Sequence, residues 1–207
     1  MRLAGRVVVL LVGQVLFGTG LWLGLQAELG VGPWDVLHGG LADLLGTPFG
    51  RTAIAVSAVV FLVALRAGVK PGVGTVLNVV LVGGTIDVLL APGWLDGLGD
   101  RAVALRLAVC VLGIASVALG SALYLGAHLG PGPRDGLMVA ISRRTGWSTG
   151  RARGVLEVGV LVLGVLLGGP VGVGTVLFAL GIGPAVQLAF SLTGRTPDRR
   201  VLVEEPP

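Results

Sequence analysis

Charge is scarce in this chain: Asp, Glu, Lys and Arg together make up 13% of its 207 residues, and aromatic side chains 5%. A water-soluble domain takes about a quarter of its residues from the charged set, so an ordinary soluble enzyme is excluded. There is one cysteine, Cys110, in an apolar stretch, which rules out a disulfide framework or a cysteine metal site within one chain. The two histidines, His38 and His128, are isolated and without metal-ligand spacing, and read as structural or interfacial. No Ser/His/Asp or Cys/His set is evident, so neither an enzyme nor a cofactor is implied. Lys and Arg outnumber Asp and Glu, leaving a formal +4 and a pI near 10.5. In a polar chain that balance would point to nucleic acid; here the polar surface such binding needs is missing.

What is there instead is apolar. Hydrophobic residues make up 54% of the chain and the mean hydropathy is +0.93. Thirty-seven glycines set among Leu, Val and Ala suit close helix packing in lipid. Crossing a hydrocarbon core of roughly 30 Å as helix takes about 17–25 apolar residues. Six segments qualify, at 7–25, 52–65, 72–90, 102–126, 154–168 and 172–192, the second and fifth being short. A lipid bilayer is therefore the first partner of this chain.

Positively charged loops stay on the cytoplasmic side. With the N-terminus inside, Arg2, Arg6, Arg66, Lys70, Arg134, Arg143, Arg144, Arg151, Arg153, Arg195, Arg199 and Arg200 are cytoplasmic. Glu28, Asp35, Asp43, Asp87, Asp96 and Asp100 fall on the opposite side with only Arg51, Arg101 and Arg106. Six spans with both termini cytoplasmic in a plasma membrane fit every loop. The basic balance is thus a topology signal.

Shifted by 100 positions, the sequence aligns with itself without a gap. Gly20, Leu23, Leu25, Ala27, Leu29, Gly30, Gly32, Pro33, Asp35 and Leu37 meet identical residues in the second half, and Gly72 to Leu77 (GVGTVL) recurs intact as Gly172 to Leu177. The chain therefore divides into a first repeat at 1–91, an extracytoplasmic linker at 92–101, a second repeat at 102–194 and a polar, disordered tail at 195–207. Three spans per repeat is an odd number, so the second copy enters the membrane in the opposite direction, a plan that recurs in transporters. Because the repeat begins at Arg6, the first span belongs to the fold and is not a secretory signal.

The segment with most chemical content lies between the first two spans of each half: Leu29-Gly-Val-Gly-Pro-Trp-Asp35 and Leu129-Gly-Pro-Gly-Pro-Arg-Asp135. Pro33 and Pro133 suit the first position of a helix, capped by Gly32 or Gly132. Asp35 and Asp135 then stand at the third position, where a carboxylate reaches back to the cap N–H. The stretch 33–45 makes a helix of roughly 20 Å, too short to span. Two arrangements remain open. Both short helices re-enter the membrane and aim their N-termini at the midplane, or both lie on the interfaces with Trp34, Leu37, Leu41 and Leu44 toward lipid.

Re-entry would place a solute site at Gly30, Gly32, Pro33, Asp35, Gly130, Gly132, Pro133, Arg134 and Asp135, suited to a small polar or anionic solute. Asn78 and Glu157 break the repeat, facing Phe178 and Ser57 in the other copy, and would tune selectivity or coupling. Arg153, four residues before Glu157, offers a plain surface pairing as the alternative. Gly74, Thr75, Gly174 and Thr175 of the repeated GVGTVL element read as helix packing, the threonines bonding four residues back or across an interface. Gly20/Gly24, Gly126/Gly130 and Gly164/Gly168 fit helix contacts within or between chains, a homodimer or a membrane partner included.

With the GVGPWD and GPGPRDGLM motifs, the Arg-Thr-Gly that follows, Glu157 and the GVGTVL element, the chain resembles the YczE/YitT-like family of bacterial integral membrane proteins. The resemblance runs from Arg6 to about Leu192 and is nearest the YczE type, because the soluble C-terminal domain of many YitT-type relatives is absent. It implies a bacterial plasma-membrane protein and lends no substrate, cofactor or catalytic residue. The expectation is an all-helical protein of six spans in two inverted repeats, each with a short extra helix, acting as a small-solute transporter or channel. The alternative is a non-transporting accessory or scaffold protein for a partner complex.

Overall fold

A computed structural model describes residues 2–147 and 149–195. The 196–207 part of the expected tail, with Arg199 and Arg200, lies outside the described residues. The described chain is all helical. Its helices are α1 (Leu3–Gln26), α2 (Pro33–Leu45), α3 (Phe49–Arg66), α4 (Val73–Leu90), α5 (Val103–Leu125), α6 (Pro133–Thr145), α7 (Thr149–Leu166) and α8 (Val173–Thr193), with one 3-10 turn at Leu98–Asp100. Five of them, α1, α3, α4, α5 and α8, are long and apolar enough to cross a membrane. Large apolar side chains such as Val59, Leu62 and Leu180 stay exposed on them, which fits a lipid rather than an aqueous surround.

α3 and α7 begin three to five residues before the apolar segments that announce them. Hydropathy drops at Arg51 and Arg151, but backbone hydrogen bonding does not, and Pro48 in an extended conformation sets the start of α3. α7 matches α3 at 18 residues yet carries Arg151, Arg153 and Glu157, so its composition is less apolar.

Helices α1 and α5 cross antiparallel through glycine. A Cβ on Gly13 would meet the backbone of Gly120 and Tyr124, and one on Gly20 the backbone of Gly113 and Val117. At this contact Ser116 Oγ donates to Leu16 O (2.8 Å). The ends are stitched reciprocally. Arg6 donates to Ala127 O (2.8 Å) and His128 O (2.5 Å), and Arg106 to Ala27 O (2.9 Å) and Glu28 O (2.5 Å). Glu28 and His128 share a left-handed conformation, φ 51° and 54°, which turns the chain back after α1 and α5.

Two layers result. α1 and α5 form the centre of the first, with α4 on α1 and α8 on α5; in the second, α2 packs on α7 and α3 on α6, with α2–α3 and α6–α7 contacts completing it. The layers meet mainly along α3 and α4, whereas α7 and α8 share no comparable interface.

Candidate functional site

Each short helix starts from a strand-like segment held by the opposite half. Gly74 N–H donates to Leu129 O (2.9 Å) and Gly174 N–H to Leu29 O (2.6 Å). Gly30 and Gly130, at φ 90° and 119°, leave no space for a side chain against Gly172 and Gly72. Thr75 and Thr175 bond neither four residues back nor across an interface. Their Oγ1 atoms accept from Gly72 N–H (3.0 Å) and Gly172 N–H (3.2 Å), closing the first turns of α4 and α8.

The N-terminal turns of α2 and α6 meet at a cavity of about 130 Å³ between the two layers. Gly32, Pro33, Asp35, Gly132, Pro133, Arg134, Asp135, Asn78 and Glu157 all line it. Gly30 and Gly130 do not; they fix the segments behind it. Trp34 is 9% exposed and lies inside, not toward lipid, while Leu44 at the far end of α2 is 67% exposed. The α2 helix thus buries its N-terminal end and exposes its C-terminal end.

The two aspartates differ in partners despite equivalent positions. Asp135 Oδ2 accepts from Gly132 N–H (3.2 Å) and from the Tyr124 hydroxyl (2.9 Å). Asp35 instead pairs with His38, Nδ1 to Oδ1 at 3.2 Å, and both are buried. Among the described residues His38 Nε2 has no hydrogen-bond partner, and the ring stands edge-on to Phe49. The cause is local sequence: position 38 holds His in the first half and Met138 in the second.

Arg134 brings the halves together. Its guanidinium stacks over the Trp34 ring, 4.9 Å from the centroid, and its Nη2 stands 4.0 Å from Asp35 Oδ1, beyond hydrogen-bond reach. Arg153 and Glu157 form a 2.8 Å pair on one turn of α7, and both line the cavity. The surface-pair geometry and the cavity position are therefore both present.

Tyr124 is a cavity residue that the sequence did not single out, whereas Trp34, Phe178 and Arg153 were expected in other roles, as a lipid contact, the repeat counterpart of Asn78 and a surface partner of Glu157. Tyr124 had a signal, as the lone tyrosine inside an apolar run. Arg153 had the signal of its spacing from Glu157, but its place in a basic cluster that reads as a loop gave no sign of the cavity.

Residues 4–191 match the model of a family of unknown function, DUF6198. The chain belongs to this family. As a DUF6198 member it is similar to an uncharacterised protein of Haemophilus influenzae, 39% identical over 91% of this chain and 85% of that protein. It is also similar to the uncharacterised membrane protein YczE of Bacillus subtilis, 33% identical over 87% of this chain and 82% of that one. The resemblance to YczE-type proteins therefore holds across most of the family domain. No solved structure matches the chain.

Proposed function

We propose that this membrane protein is a transporter or channel for a small polar solute, with its site in the cavity where α2 and α6 meet. In this reading the halves form an inverted-topology repeat, α7 is the sixth span, and α2 and α6 re-enter the membrane from opposite faces. The antiparallel α1–α5 crossing and the reciprocal Arg6 and Arg106 bonds support the inversion. Both termini then face the cytoplasm of a bacterium, as the distribution of Lys and Arg asks.

The observation that carries the proposal is the convergence of two helix N-termini from opposite halves on one charged cavity inside an otherwise apolar molecule. Ionisable groups at such depth are costly and serve a pathway or a ligand. Among the described residues no carboxylate lies within hydrogen-bond distance of the planar Arg134 fork, which suits a solute bearing a carboxylate. Asp135, Glu157 and Asn78 stand ready for a donor group on the same solute.

Uptake of radiolabelled acetate, glycine and choline into proteoliposomes tests this. Acetate or glycine enters and choline does not. In Gly132→Leu uptake stops, because a side chain there would point at Asp135, Asn78 and Tyr124. Uptake equal to that of empty liposomes for all three solutes, together with co-purification of a stable partner complex, would sink the proposal and favour an accessory role.

A further inference from the structure

The helices of the two layers meet mainly along one side, where α3 packs on α4. Along α3 and α4, Gly50 and Gly83 are buried and touch backbone to backbone, leaving no space for a Cβ on either. Asp87 Oδ1 accepts from Gly50 N–H (2.7 Å) across the seam. The positions one hundred residues on, Gly150 and Gly183, are exposed and would meet nothing within 4 Å of an added Cβ. Asp87 corresponds to Gln187, also exposed. The sequence keeps a glycine on both faces of the α7–α8 gap, as it does on the closed seam, although nothing in this structure needs one there.

Glycine favours a helix less than alanine does, so two glycines that face empty space in register with the closed seam are not accounted for by this conformation alone. Resting on the transport reading, we infer that the layer α2, α3, α6 and α7 rocks against the layer α1, α4, α5 and α8, closing the α3–α4 and α7–α8 seams in alternation.

The described state is closed through Gly50, Gly83 and Asp87 at the outer end of the cavity and open between α7 and α8 at the cytoplasmic end. In the other state Gly150 and Gly183 meet as Gly50 and Gly83 do here, and the cavity opens outward. The charged lining fits the same movement. Arg134 and Asp135 ride on the α2–α3–α6–α7 layer, whereas Asn78, Tyr124 and Phe178 belong to the other. The Tyr124–Asp135 bond (2.9 Å) crosses between the layers and must be remade as they move.

Spin-label distances in lipid nanodiscs test the inference without any solute. On a Cys110→Ser background, labels at Ala55→Cys and Val88→Cys report the α3–α4 seam, and labels at Val155→Cys and Leu188→Cys the α7–α8 seam. The expected result is two populations at each pair. Gly83→Leu lengthens the first distance and shortens the second. Gly183→Leu, for which this state has space, removes the short α7–α8 population. Asp87→Ala does what Gly83→Leu does without added bulk and covers the case in which that variant fails to fold; losing a bond to a charged acceptor shifts the two-state ratio by about tenfold. A single distance at each seam that Gly183→Leu, Gly83→Leu and Asp87→Ala all leave unchanged overturns the inference. Solute uptake with fixed seams would defeat rocking and leave transport standing, while moving seams without uptake of any solute would do the reverse.

Discussion

Tyr124 places its hydroxyl on the Asp135 carboxylate from a helix of the opposite layer, with its ring edge-on to Phe17 at 5.9 Å. Tyr124→Phe keeps the ring and removes only that bond. Hydrogen bonds to charged groups contribute about 1.5–3 kcal/mol, so the variant is expected to fold with a lower melting midpoint in detergent. Combining it with Asp135→Ala should cost less than the sum of the two single changes, because both remove the same bond. A strictly additive double-mutant cycle would mean the contact contributes nothing. At this scale the sequence was half legible. The pairing of Asp135 with its own cap follows from spacing, but the swap of Asp35 to His38 depends on one side chain a turn further along. Spacing cannot show which of two nearby donors wins.

The boundaries of the short helices are those the sequence indicates, because Pro33 and Pro133 fix the start and Gly46 and Gly146, at φ 62° and 70°, fix the end. Hydropathy was a poorer guide to α3 and α7, whose charged first turns are helical but not apolar. The role of each glycine was not legible either, since composition cannot tell a crossing point from an exposed face. The structure separates them, and the difference is measurable. Gly120→Val drives a branched side chain into the backbone of Gly13 and Phe17. Overpacking of this kind costs about 1–3 kcal/mol or more, and the variant should melt early or fail to accumulate. Gly159→Ala, in open space on α7, should be neutral or gain up to about 1 kcal/mol from helix propensity. Equal melting midpoints for the two variants would mean that the α1–α5 crossing does not depend on glycine.

For the whole molecule, lipid exposure was readable from composition and the paired motifs from their recurrence at a fixed offset of one hundred residues. The layers were not readable, since each is built from helices of both halves. That exchange also sets what the chain between the halves has to do. Arg6 and Arg106 each bond the last carbonyls of a helix turn in the opposite half, and Leu29 and Leu129 each accept from the glycine that opens the other half's last helix. Residues 91–102 contribute none of these bonds. Separate polypeptides covering 1–97 and 98–207, co-expressed, should therefore co-purify as a folded pair, while either alone should aggregate or be degraded. Recovery of a monodisperse single half would contradict this. The arginine and glycine bonds are reciprocal, each one that a half gives being one that it also receives, whereas Ser116 Oγ to Leu16 O and Val31 N–H to Pro170 O have no counterpart. On the proposed inverted-repeat reading, one half inserted in both orientations in one membrane would find a carbonyl partner for its own arginine, and the covalent connection fixes the ratio of the two orientations at one to one.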